Sequence, residues 1–183
     1  MSTKCKWING VQTFHTTPMM VACGTIEENV TLTLAAETAL FSTTLPAGLF
    51  DSTNMAFKLT IAGTISSAAS TDDGDITFRL RMGTTDILET IVTSTYPNED
   101  DKAFILEYWG RIHTVGSSGK VVATGRLAME ATGMSDVKKG TAVTGATVDL
   151  TAVTSINVTG HWDKAATDID CVMHYGVLEL FNQ

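Results

Sequence analysis

Proline is scarce in this 183-residue chain, with 3 positions, and so is charge: Asp, Glu, Lys and Arg together make up 17%. The three cysteines, Cys5, Cys23 and Cys171, are widely spaced and form no C-x-x-C pair. That excludes a zinc ribbon and a redox dithiol, and so few thiols in an odd number do not suit a disulfide-stapled secreted domain. They are read as reduced thiols of a chain made in a reducing cytoplasm. No apolar run nears the roughly 18 residues of a membrane span, so no membrane partner is expected. Lys4 and Lys6 precede Met19-Met20-Val21-Ala22-Cys23, but Asn9, Gln12, Thr13, His15, Thr16, Thr17 and Pro18 lie between. That stretch is too polar for the core of a signal peptide, and none is expected. Basic clusters are missing too. Lys and Arg number 12 against 20 Asp and Glu, the net charge is −8, and the longest basic string is Lys138-Lys139. Phosphate backbones need clustered cations, so no nucleic-acid partner is expected.

Threonine is what the chain has in excess, with 30 positions spread throughout. Its β-branched, polar side chain suits the wet face of a half-buried strand and costs a helix χ1 freedom. Alternation supports the same reading. Phe57, Leu59 and Ile61 alternate with Lys58 and Thr60, and Ile76, Phe78, Leu80 and Met82 alternate with Thr77, Arg79 and Arg81. Residues 103–113, 120–129, 148–150, 155–162 and 170–181 complete the strand set. The last is nearly continuous apolar sequence, which predicts a central strand buried on both faces. Ala35–Phe41 reads as a short helix ended at Pro46-Ala47-Gly48, and Gly110 and Gly125 as bulge positions. About eight short strands separated by turns predict an all-β antiparallel β-sandwich over residues 29–183, with jelly-roll topology leading. Residues 1–28 have no sustained period and read as an extended N-terminal arm carrying a short strand or two.

Chemical motifs are sparse. Gly116-Ser117-Ser118-Gly119-Lys120 lacks the spacing and following helix of a phosphate loop and reads as a hairpin turn. Asp72, Asp73 and Asp75 lack the ligand spacing of an EF-hand, and Glu99, Asp100 and Asp101 read likewise as a solvated acidic turn. His161, Trp162, Asp163, Asp168 and Asp170 form a local group that could suit a cation or a sugar; a polar strand end is the plainer reading. His174 reads as a hydrogen-bonded core residue. There is no G-x-S-x-G or H-E-x-x-H and no Cys/His pair at catalytic spacing. The expectation is therefore no catalytic residue, no cofactor and no bound metal.

Two groups of segments carry a resemblance. The first is Leu45–Phe50, Phe57–Ile65 and Ile76–Thr85; the second is Val148–Thr151, Ile156–Trp162 and Val177–Phe181. In this order they resemble the small jelly-roll virion proteins of tailed bacteriophages, which include capsid decoration (cement) proteins and head or tail fibre modules. The resemblance implies a structural role, synthesis in the bacterial cytoplasm and assembly on a virion, often as a trimer. It transfers no catalytic residue. The leading expectation is a decoration protein on the capsid surface, with the major capsid protein lattice and copies of itself as partners. The alternative is a fibre or receptor-binding module that holds host glycan through loop aromatics such as Trp162 or Trp109; a hydrolase ranks third. Trp7, Val11 and Phe14 have no slot in the alternating strands and are the candidate partner-binding residues of the arm.

Overall fold

The computed structural model describes residues 19–22, 25–26, 29–33, 36–67, 74–95, 100–131, 134–139, 141–142, 146–163 and 169–182. Among these residues every regular element is a strand. In chain order they are β1 (Met19–Ala22), β2 (Thr25–Ile26), β3 (Val30–Leu32), β4 (Thr38–Leu45), β5 (Met55–Ser67), β6 (Gly74–Met82) and β7 (Thr85–Thr95). Then follow β8 (Lys102–Thr114), β9 (Gly119–Ala131), β10 (Met134–Lys139), β11 (Thr141–Ala142), β12 (Ala146–Val148), β13 (Thr154–Trp162) and β14 (Ile169–Asn182). One sheet runs β1-β14-β5-β8-β9-β10, with β3 on β14 and β12 on β9; the other runs β11-β7-β6-β13-β4-β2. All pairings are antiparallel. The chain is thus an all-β antiparallel sandwich. Counting only β3–β8, β13 and β14, the sheets read β3-β14-β5-β8 and β4-β13-β6-β7. Chain neighbours mostly lie in opposite sheets, so each sheet is completed only by distant segments.

The alternating positions become the core. Ile76, Phe78, Leu80 and Met82 of β6 are fully buried, and they face Phe57, Leu59 and Ile61 of β5 with Phe104, Leu106 and Tyr108 of β8 across the sandwich. Phe78 and Phe104 stack across it at 5.7 Å. Gly116, with φ +99, turns the β8–β9 hairpin, and its carbonyl accepts from the Gly119 and Leu150 amides.

Three local expectations are corrected. The segment read as a helix contains the start of β4, which pairs with β13 and β2. Leu40 is an extra residue there: Val158 sits opposite Phe41 and Thr159 opposite Ala39. The bulge turns both Leu40 and Phe41 inward and gives the sequence its helix-like spacing. Second, β14 is not buried on both faces. Its neighbours are β5 on one side and β1 and β3 on the other, and only one face meets the core, so the apolar residues on its other face line the outside of the sheet. His174 is exposed rather than a core residue, because it is itself a bulge: Met173 pairs with Gly63 and Tyr175 with Ala62. Third, Gly110 and Gly125 are not bulges, since the β8–β9 register runs unbroken through both. They make room for rings. A Cβ on Gly110 would lie 2.1 Å from Phe57 Cζ, and one on Gly125 would lie 2.7 Å from Tyr108 Cδ1.

Within the segment expected as an arm, β1 pairs with β14 and β2 with β4. Residues 1–18, with Trp7, Val11 and Phe14, lie outside the described residues, as does Cys23. Cys171 is buried on β14, and that burial pushes its thiol up to about 12.

Two outcomes are expected. Gly110→Ala should cost about 1–3 kcal/mol by overpacking against Phe57, a fall of roughly 2–12 °C in Tm that calorimetry measures. In a Cys5→Ser/Cys23→Ser background, Cys171 should stay unmodified by a thiol reagent at pH 8 while the protein is folded. It should react stoichiometrically once denatured, because only the thiolate attacks.

Candidate functional site

The register of β14, β5, β8 and β9 sets side chains in rows on the outer face of the larger sheet. Tyr175, Ala62, Ile105 and Ala128 form one row, and Val177, Thr60, Glu107 and Arg126 the next. Glu179, Lys58, Trp109 and Thr124 follow, then Phe181, Ala56, Arg111 and Val122. Each row joins residues whose strand neighbours point into the core, so the face is the polar half of the period-two pattern. It is not purely polar. Ile105, Val122 and Tyr175 are 42%, 38% and 44% exposed, and Trp109 and Phe181 are half-buried.

Between the last two rows lies an open depression of about 480 Å³. Trp109, Arg111, Phe181, Val122 and Thr124 surround it, and the small Ala56 leaves the room. Phe57, Gly110 and Ala123 supply the floor from the row between, with their side-chain positions turned inward. The volume falls within the range of about 300–1,000 Å³ usual for small-molecule sites.

Glu107 organises the charges beside it. Its carboxylate takes Lys58 Nζ at 2.9 Å and the Arg126 guanidinium, and its side chain is only 12% exposed. Lys58 and Arg126 also lie 5.7 and 5.5 Å from the centre of the Trp109 ring. One carboxylate thus holds two cations against the indole, which limits how the ring can turn. Burial alone would raise the Glu107 pKa; the hydrogen bonds and charges of Lys58 and Arg126 outweigh it and hold the carboxyl below its ordinary value.

The opposite outer face carries a separate ion cluster. Glu37 takes Arg79 through one oxygen and Arg81 through the other, the latter at 2.6 Å, and the Thr159 hydroxyl donates to it at 3.1 Å. Arg81 also meets Asp86 at 2.5 Å. That hydrogen bond is the main reason its guanidinium pKa is raised, against an opposing effect of burial.

Most of the residues singled out in the sequence do not converge. Trp162 is fully buried in the core and cannot stack on an external ligand, which removes it from the pair of candidate aromatics. Trp109 is on a strand rather than a loop. Asp163 serves the strand ends, accepting from the Asp75 amide at 2.8 Å, and Asp170 accepts from the Thr31 hydroxyl at 3.0 Å. Asp101 closes on Ser66. Asp72, Asp73, Glu99 and Asp168 lie outside the described residues. Among those described, no three His, Cys, Asp or Glu side chains come together as a metal site. Phe181, Val122, Ala56 and Arg111 were not singled out. The Glu107-x-Trp109-x-Arg111 spacing does carry a signal, since period two puts all three on one face, opposite Leu106 and Tyr108.

Glu107 generates a pH prediction. A carboxyl held below its unfolded value adds stability that is fully present above that value, about 4.3. The contribution is lost as pH falls through the folded value. Urea titrations from pH 7 to pH 3 should therefore show wild type losing more stability below about pH 4.5 than Glu107→Gln does. At pH 7 that variant should be less stable by on the order of 1 kcal/mol, because Lys58 and Arg126 remain partly solvated.

No family model and no curated protein matches the chain. Among solved structures it is similar to the CBM2 module of the evolved Dit of Lactobacillus casei BL23 phage J-1, at 13% identity over 85% of this chain and 76% of that one, with a TM-score of 0.37. It is also similar to the botulinum neurotoxin serotype C1 binding domain, at 8% identity over 91% of this chain and 44% of that one, with a TM-score of 0.33. Both scores are below the level at which a likeness carries functional weight.

Proposed function

We propose that this chain is a binding module of a phage virion that takes a host-surface glycan on the outer face of its larger sheet. The observation that carries the reading is the depression walled by Trp109 and Phe181, with Thr124 and Arg111 at its edge. Sugars present apolar C–H faces and a rim of hydroxyls. An aromatic wall takes the first, and a hydroxyl and a guanidinium take the second. The virion setting comes from the resemblance, and the antiparallel two-sheet sandwich is compatible with it. The aromatic-walled depression favours the attachment reading over capsid decoration; Trp7, Val11 and Phe14 lie outside the described residues. The proposed role is binding without a catalytic step. A homotrimer would present three such faces, and multivalency would raise the avidity of a weak site.

Binding of purified protein to a panel of bacterial surface polysaccharides tests this. Wild type should bind at least one of them, and Trp109→Ala should weaken that binding by about tenfold or more, a loss of about 1.4 kcal/mol. Ala substitution at the buried Trp162, by contrast, should act through stability. If wild type binds none of the panel, or Trp109→Ala binds as wild type does while still folded, the reading falls.

A further inference from the structure

The chain has four arginines. Three are matched to carboxylates: Arg79 to Glu37, Arg81 to Glu37 and Asp86, and Arg126 to Glu107. Arg111 is exposed at the edge of the depression, and among the described residues it has no carboxylate partner. Its cross-strand neighbours are Ala56 and Val122, which offer no side-chain acceptor. Lys120 stands two residues before Val122 on the same face of β9, diagonal to Arg111, and is also exposed without a carboxylate partner among the described residues. The carboxylate of Glu107 does not serve them, since it is engaged by Lys58 and Arg126.

Two cations in a diagonal relation, neither with a carboxylate partner among the described residues, are unusual on a chain of net charge −8 whose other arginines are all matched. Diagonal neighbours on paired strands stand about 7–8 Å apart, which a single oxyanionic group can span between two long side chains. A guanidinium presents a planar fork of donors that suits a carboxylate or phosphate through two parallel hydrogen bonds, and an ammonium adds a mobile point charge. Resting on the glycan reading above, we infer that the ligand of this face is an anionic glycan, whose carboxylate or phosphate is held by Arg111 with Lys120 while a sugar ring lies against Trp109. The cations held by Glu107 serve a different end: their charge is matched by its carboxylate, and they position the indole. Selectivity would then come from the oxyanion, because a neutral sugar leaves Arg111 and Lys120 no better satisfied than water does.

Calorimetric titration with three probes of matched length tests the inference: a neutral maltooligosaccharide, an oligogalacturonate and a poly(glycerol phosphate) chain. One of the anionic probes should bind about tenfold or more tighter than the neutral one, and added salt should weaken it. Which of the two binds distinguishes a carboxylate ligand from a phosphate. Arg111→Ala should lose about tenfold or more of that affinity with an unchanged Tm, Arg111→Lys should restore part of it, and Lys120→Ala should lose a smaller factor. If the neutral probe binds as tightly and Arg111→Ala changes nothing, the anionic inference is overturned while the glycan reading stands. If no probe binds and the surface-polysaccharide panel is also negative, both fall. If an anionic probe binds but Arg111→Ala leaves it unaffected, the assignment to Arg111 is wrong.

Discussion

Leu59 lies opposite Leu178 on one side and Tyr108 on the other, and this antiparallel register runs on from Met55 to Ser67 along β14 and from Ala56 to Ile65 along β8. Everything proposed for the outer face rests on it. Side chains alternate with a period of two, so a slip of one residue would send Trp109 into the core and Tyr108 out. The register is held from the inside. Gly110 can oppose Phe57 only because it has no side chain, and Gly125 makes the same room for Tyr108. The void that lets a ring into the core also lets the backbone of that row form the floor of the depression outside.

The bulges then edit the pattern. His174 is the extra residue on β14, and beyond it the alternation changes phase, which turns Tyr175 outward beside Ala62 and Ile105. Without that shift the outer face would lose its exposed aromatic at this end. A similar interruption lies at His113 on β8, where Ile112 pairs with Val121 and Thr114 with Lys120. It lies two residues beyond Arg111 and ends the regular ladder at the edge of the site.

Charge is arranged differently on the two outer faces. On the smaller sheet, Glu37 gathers Arg79, Arg81 and the Thr159 hydroxyl, and the arginines there are matched. On the larger sheet, Glu107 gathers Lys58 and Arg126 but leaves Arg111 and Lys120 without carboxylates among the described residues. Exposed ion pairs contribute little to stability, about 0–1 kcal/mol each, so their main effect here is positional. They set which cations are committed to the fold and which face outward.

The amino-acid sequence by itself determined the class. Thirty threonines, the alternation at Phe57–Ile61 and Ile76–Met82 and the turn at Gly116–Gly119 are local properties, and local sterics favour strands and hairpins at these positions wherever they stand. It also placed Glu107, Trp109 and Arg111 on one strand face. Only the tertiary structure decided what those faces meet. Leu40–Phe41 reads as helical spacing until pairing with β13 makes Leu40 a bulge, and the apolar run of β14 reads as doubly buried until β5 and β1 leave one side open. Trp162 stands between His161 and Asp163 and Trp109 between Tyr108 and Gly110, yet the one with polar neighbours is core and the other is wall. Phe181, Ala56, Arg111 and Val122 come from four strands spread over more than 120 residues of chain, and no local pattern relates them. Cross-strand register is a long-range quantity, set by which rings the glycines admit and by where the bulges fall, so it becomes visible only once the sheets are paired.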